Sequence, residues 1–271
     1  MASHLQNPLA LPPVNDLTCI VTGATSGIGR EMARQLAEAG AHVVMAVRNP
    51  KAAHELINRW SESWHGLPLN IEVMELDLLS LDSVVTFANA WNARLGPLNV
   101  LINNAGIFSI GGKRKYSSLL GYTSSKLAQV MFSSVLHKRL PIEAGVNVVC
   151  VSPGIVHTNV ARDLPRIVQA AYHLIPYFIF SAQEGSRSAL FSATDPQIPE
   201  YCELLKADEW PVCAFISQDC RPTNPSEEAH NIETSFEVWE KTLEMIGLPS
   251  DAVERFIEGN EVTCRYGTRS D

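Results

Sequence analysis

No Cys-x-x-Cys pair and no zinc-ligand spacing occur in this 271-residue sequence. Its six cysteines (Cys19, Cys150, Cys202, Cys213, Cys220 and Cys264) therefore suggest neither a metal site nor a thioredoxin-like redox motif. Cys19 and Cys150 lie within apolar, β-branched runs, which predicts buried reduced thiols and a reducing, cytoplasmic compartment. A basic face is also missing: the net charge is −8, which argues against non-specific nucleic-acid binding. The N-terminal "MASHLQNPLALPPVNDLT" lacks the cationic segment and continuous apolar run of a signal peptide. The longest apolar stretch, "IVQAAYHLIPYFIF" (167–180), is interrupted by Gln169, His173 and Pro176 and is too short to span a bilayer. Peripheral membrane association stays open. Repeats, low-complexity tracts and interdomain linkers are absent too.

What is present is a core-forming chain, 46% hydrophobic with a mean hydropathy near zero. Short runs rich in Val and Ile alternate with longer amphipathic segments, the pattern of βαβ units around a parallel sheet. Strands are predicted at 17–23, 42–47, 70–77, 98–104, 146–152 and 212–217. Helices are predicted at 30–40, 50–64, 80–96 with Ser80 as its cap, 117–140, near 162–175, near 182–193 and near 234–247. The fold class is α/β, a Rossmann-type doubly wound parallel sheet in a single domain. Residues 14–106 would form its cofactor half and 113–271 its substrate half.

Between the first strand and its helix stands "TGATSGIG". Glycine clusters also mark ordinary turns, but this one follows a buried strand and opens a helix. Gly23 would allow the tight turn, and Gly27 and Gly29 would let the backbone approach a pyrophosphate at the helix N-terminus. The second strand ends in Arg48, with no carboxylate there. An acidic residue at that place would suit the ribose of NAD, whereas arginine suits the 2′-phosphate of NADP. A solvated surface arginine is the plain alternative. The cofactor reading is NADP(H).

Five features occur in order: TGxxxGIG, Asp77-Leu78 after the third strand, Asn-Asn-Ala-Gly at 103–106, Tyr122-x-x-x-Lys126, and Pro153-Gly154. As an ordered set they resemble the short-chain dehydrogenase/reductase family over about residues 15–220. The segments "EGSRSALFSAT" and "FISQDCRP…VWEKTLEMIGL" resemble its retinol-dehydrogenase-like and WW-domain-oxidoreductase-like branch. This resemblance implies an oxidoreductase working on a carbonyl or alcohol of a small, lipophilic molecule. It implies that Gly23, Thr25, Ser26, Gly27, Ile28, Gly29, Arg48, Asp77, Leu78, Asn104, Ala105, Gly106, Pro153, Gly154 and Thr158 line the cofactor site. Tyr122 would be the general acid/base. Lys126, one helical turn on, would share its face, lower the tyrosine pKa and contact the nicotinamide ribose.

The family places a further helix and strand between Asn-Asn-Ala-Gly and Tyr-x-x-x-Lys, carrying a catalytic asparagine and a catalytic serine. Here only residues 107–121 lie between the motifs. A helical crossover alone takes about a dozen residues, and a complete βαβ unit about thirty. One helix–strand unit is therefore read as missing, as from a skipped exon or an internal deletion. Ser109 stands thirteen residues before Tyr122, near the family spacing, but directly follows the strand-four turn. Ser117, Ser118, Ser124 and Ser125 surround a helix start, where serine commonly caps. Two outcomes are open: the 146–152 strand closes onto strand four, or both strands keep an unpaired edge. The family's dimer helices would be incomplete, leaving the oligomeric state open. A non-catalytic dinucleotide-binding or interaction protein is the alternative to an enzyme.

Overall fold

The computed structural model describes residues 9–106, 118–156, 180–207, 213–262 and 264. In chain order the strands are β1 (Thr18–Thr22), β2 (His42–Val47), β3 (Ile71–Glu75), β4 (Val100–Ile102), β5 (Val149–Val151) and β6 (Ala214–Ile216). The described α-helices are α1 (Gly27–Glu38), α2 (Pro50–Ser63), α3 (Leu81–Asn92), α4 (Ser118–Arg139), α5 (Ala182–Gly185), α6 (Arg187–Thr194), α7 (Ile198–Lys206), α8 (Ile232–Ile246) and α9 (Ala252–Ile257). They gather into two compact units, the first drawing on Met1–Gly112, Pro153–Thr194 and Gln218–Cys220. The second draws on Lys113–Ser152, Asp195–Ser217 and Arg221–Asp271.

The first unit contains a four-stranded parallel sheet in the order β3-β2-β1-β4. Successive side chains of a strand point to opposite faces, and the two cores follow that alternation. Cys19, Val21, Val43, Met45 and Val47 pack with Met32, Ala33 and Leu36 of α1 and with Ala53 and Leu56 of α2. Ile20, Val44 and Ala46 face the other way, with Met74, Leu76 and the α3 side chains Val84, Phe87 and Trp91. Helices on both faces are what the unbroken Val/Ile runs predict, because a strand covered twice needs no polar alternation. The segment after β5 returns to this unit: Gln35 Nε2 donates to Ser186 Oγ at 2.9 Å, and both side chains are buried.

β4 differs from its neighbours. Among the described residues it ladders only with β1. Its three residues are at most half-buried, and Leu101 is 51% exposed. The two faces of β1 and β2 are, by contrast, almost entirely buried. The strand expected at 98–104 shrinks to three residues, Val100–Ile102.

The second unit holds a parallel β5–β6 pair, with Cys150 opposite Phe215. Among the described residues the 146–152 segment ladders with β6 alone, so it does not close onto strand four. Its core sets Val135 of α4 against Trp239 and Leu243 of α8. Phe132 stacks on Trp239 at 4.7 Å and 23°.

Other boundaries shift modestly. Ser80 does cap α3, accepting from the Ser83 amide at 3.2 Å. The helix expected near 182–193 is two helices, α5 and α6. A capping box between Ser181 and Glu184 opens α5, and Ser186 Oγ donates to the Gln183 carbonyl at 2.6 Å where it ends. Helices α7 and α9 were not predicted, since both are short and neighbour prolines that read as breakers. The predicted helix near 162–175 lies outside the described residues. Cys19 is buried as expected, but Cys150 is only half-buried, because a two-stranded sheet covers its residues less completely.

Candidate functional site

The sequence TGATSGIG places a tight turn at the carboxyl end of β1. Gly23 has φ +66°, and its amide donates to the Ala46 carbonyl of β2 at 3.1 Å. A Cβ at Gly23 would meet the Ala105 Cα at 3.0 Å. At Gly29, a Cβ would collide with the Asn104 amide nitrogen and stand 2.6 Å from the Gly23 carbonyl oxygen. Glycine is required at both places, at the first by left-handed backbone and close approach, at the second by close approach alone. The N-cap of α1 is Ser26, whose exposed side chain makes no cap hydrogen bond. The first-turn amides of Gly27, Ile28 and Gly29 thus open a helix whose positive end lies at the loop. Thr25 and Ile28 are half-buried beside them.

Asn104 and Ala105 form the opposite wall. Asn104 Nδ2 donates to the Thr22 carbonyl at 3.0 Å. The Ala105 amide donates to Thr22 Oγ1 at 3.0 Å, and that hydroxyl donates to the Ile102 carbonyl at 3.3 Å. Thr22 is buried and ties the end of β4 to the end of β1. Sequence reading missed this role, although the Thr-Gly dipeptide was in view. Gly106 is exposed at the end of the turn.

At the end of β3, Asp77 is held from both sides. Its amide donates to Ser83 Oγ at 3.0 Å, and its Oδ1 accepts from the Leu79 amide at 3.0 Å. The carboxylate is locked in a short Asx turn, with Leu78 exposed beside it. Ser83 was also missed, and its signal was its place three residues after the cap Ser80. Arg48 lies just past β2, exposed, two residues beyond the Ala46 carbonyl that binds Gly23. Asn49 next to it caps α2, accepting from the Ala52 amide at 3.3 Å. Pro153 and Gly154 belong to the same unit, where Gly154 backs onto the Phe180 ring.

Tyr122 and Lys126 lie in the second unit, on α4. The Lys126 ammonium stands 5.8 Å from the Tyr122 ring centre, so the two share a helical face as the spacing predicts. Burial holds the Lys126 pKa below its ordinary value, and its Nζ donates to Gln129 Oε1 at 3.0 Å. Ser124 and Ser125 are exposed, and Ser125 Oγ donates to the Tyr122 carbonyl at 2.7 Å. Thr158, Ser109 and Ser117 lie outside the described residues. Among the described residues, no group of three or more His, Cys, Asp or Glu side chains could hold a metal. Nor is any described helix long and apolar enough to cross a membrane.

Comparison with known proteins places this geometry. The short chain dehydrogenase profile matches in two segments, 17–114 and 107–167. The dehydrogenase/reductase SDR family member FEY of Arabidopsis thaliana is 60% identical over 334 residues, covering 100% of this chain and 89% of that protein. Those 334 aligned positions exceed the 271 residues of this chain by 63, so at least 63 positions of the alignment have no residue here. Human retinol dehydrogenase 11 is 26% identical over 289 residues, covering 86% of each chain. Among solved structures, a variant of actinorhodin polyketide ketoreductase with NADPH superposes with a TM-score of 0.56 at 22% identity. That match covers 69% of this chain and 94% of the ketoreductase, and shows a shared fold.

Proposed function

Because the chain belongs to the short-chain dehydrogenase family, we propose that it binds NADP(H) and derives from an oxidoreductase of lipophilic carbonyls or alcohols, with turnover in this form reduced or lost. The observation that carries the reading is the intact cradle of the first unit. Gly23 and Gly29 pack against Asn104 and Ala105 too closely for any added Cβ, which sets the tight turn that brings the backbone to the N-terminus of α1. A dinucleotide fits there. The α1 amides would hold its pyrophosphate, Asp77 would meet the adenosine end, and Arg48 would pair with a 2′-phosphate. The fold neighbour solved with NADPH supports the same choice. When bound, the nicotinamide supplies or accepts the hydride.

In an active family member, the Tyr122 phenol would exchange the proton on the substrate oxygen. The Lys126 ammonium on the same face would favour the phenolate, although its burial in this chain weakens its hold on its own proton. Retinol dehydrogenase 11 among the relatives supports a lipophilic substrate class.

Reduced or lost turnover follows from the length of chain between the Asn-Asn-Ala-Gly and Tyr-x-x-x-Lys motifs. Residues 107–121 are too few for the family's extra helix and strand. The 63 unmatched positions and the break in the profile match near 107–114 support a missing helix–strand unit. So does the single-sided ladder of β4. A serine to polarise the substrate carbonyl would be lost with it. The second reading, a dinucleotide-binding protein without catalysis, rests on the same deficit.

NADPH titration followed by a carbonyl-reduction assay separates the readings. Binding with little or no turnover is the expected result. Robust turnover that Tyr122→Phe abolishes would restore a full enzyme, and failure to bind either NADPH or NADH would overturn both readings.

A further inference from the structure

Cys150 on β5 and Cys213 immediately before β6 place their sulfurs 3.5 Å apart, with the Cys213 thiol donating to Cys150 Sγ. A disulfide requires about 2.05 Å between sulfurs, so closure asks for roughly 1.5 Å of movement. The two residues differ in access: Cys213 is buried and Cys150 is half-buried. From α4, Ser134 Oγ accepts the Cys213 amide at 3.2 Å, and Ser133 helps hold the Cys150 pKa below its ordinary value. Nothing in the oxidoreductase chemistry uses this pair.

We propose that Cys150 and Cys213 form a redox-responsive dithiol that a hydroperoxide converts to a disulfide, altering the seat of α4. Cys150 is the attacking sulfur, because it accepts the Cys213 hydrogen bond and faces solvent in part. The same hydrogen bond holds the Cys150 pKa below its ordinary value and raises that of Cys213, with burial adding to the latter. Cys150 gives up its proton and attacks one peroxide oxygen. A sulfur–oxygen bond forms, the oxygen–oxygen bond breaks, and an alcohol leaves, or water when the oxidant is hydrogen peroxide. Cys213 then loses its proton and attacks the sulfenic sulfur. The sulfur–sulfur bond forms, the sulfur–oxygen bond breaks, and the hydroxyl leaves as water. Two thiols lose two electrons and the hydroperoxide gains them.

The pair reports to α4 through consecutive serines. Ser133 lies seven residues beyond Lys126 and eleven beyond Tyr122, spacings that return to nearly the same helical face. Drawing the sulfurs together strains the Ser134 contact with the Cys213 amide, and the same hydroxyl donates to the Val130 carbonyl of α4 at 2.9 Å. The other cysteines offer no comparable pair. Burial raises Cys19 to about 12 and Cys202 to about 11, which holds both as unreactive thiols.

The full chain, reduced and then titrated with hydrogen peroxide, tests this directly. After alkylation and non-reducing digestion, mass spectrometry should find a peptide joining Cys150 to Cys213 that dithiothreitol releases. Hydrogen exchange should change around Ser133 and Ser134 on oxidation. In Cys213→Ser, dimedone should label Cys150 as a trapped sulfenic acid. Should that variant not fold, the wild-type cross-link still decides. Free, alkylatable Cys150 and Cys213 at peroxide levels that oxidise other thiols would overturn the proposal, as would cross-links to Cys220 or Cys264 instead. An unchanged exchange pattern in α4 despite the cross-link would overturn its coupling to that helix. None of these readouts depends on NADP(H) binding.

Discussion

The Ala105 amide hydrogen-bonds the Thr22 hydroxyl at 3.0 Å, so the Asn-Asn-Ala-Gly turn is fastened to the strand that precedes the glycine loop. Thr22 Oγ1 also donates to Ile102, and its carbonyl receives Asn104 Nδ2. One buried threonine thus joins two motifs some eighty residues apart.

Thr22→Val keeps the shape and removes the hydroxyl. It should cost about 1–3 kcal/mol, because the part-buried Ala105 amide loses its acceptor. Urea unfolding measures this. A Thr22→Ser control, which restores the hydroxyl, should recover most of the loss.

Gly29→Ala puts a methyl group against Asn104 Nδ2 and the Gly23 carbonyl. The expected cost is about 1–3 kcal/mol in the unfolding midpoint, together with loss of NADPH binding. Adding Asn104→Ala should relieve the first clash but not the second, so binding should stay impaired. Full recovery in the double variant would show that the side-chain contact alone mattered.

Arg48→Ala should weaken NADPH roughly ten- to hundredfold, the loss of one charge-assisted contact to phosphate. NADH binding should change by no more than about threefold, within the effect of about 0.6 kcal/mol. Fluorescence titration of both cofactors gives the ratio. An equal loss for the two would remove Arg48 from the 2′-phosphate site.

His137 is 1% exposed, and burial, with Lys206 and Lys138 nearby, pushes its pKa from 6.5 to about 4, against a smaller opposing contribution from the Cys202 backbone. On acidification the unfolded chain takes up this proton first. The stability His137 confers is therefore full above pH 6.5 and is lost as the pH falls toward 4. Between pH 7 and pH 5 the loss should be roughly 1–2 kcal/mol, and smaller in His137→Leu. Denaturant titrations at both pH values check it. Identical losses in the two proteins would sink the assignment.

Much of the first unit was legible because its signals are local. Buried strands repeat β-branched residues and Ser80 sits where a cap must, and in the second unit a Tyr-x-x-x-Lys pair meets within one helical turn. The glycine loop was readable for the same reason. Thr22 and Ser83 were not singled out, since a hydroxyl gives no sign of its partner until the chain returns. Gln35 and Ser186, hydrogen-bonded across 151 positions, left no trace in either local pattern. The meeting of Cys150 with Cys213 was hidden likewise, since each cysteine sits in a separate short apolar run.

By itself the sequence determined the strands and most of the helices, which faces are apolar and where the glycine turn stands. Tertiary structure alone decided which strands pair: β4 beside β1, and β5 beside β6. The physical reason is that backbone ladders are chemically alike in every strand. Periodicity fixes the face a residue shows, whereas the neighbour it meets depends on the packing of all the segments together.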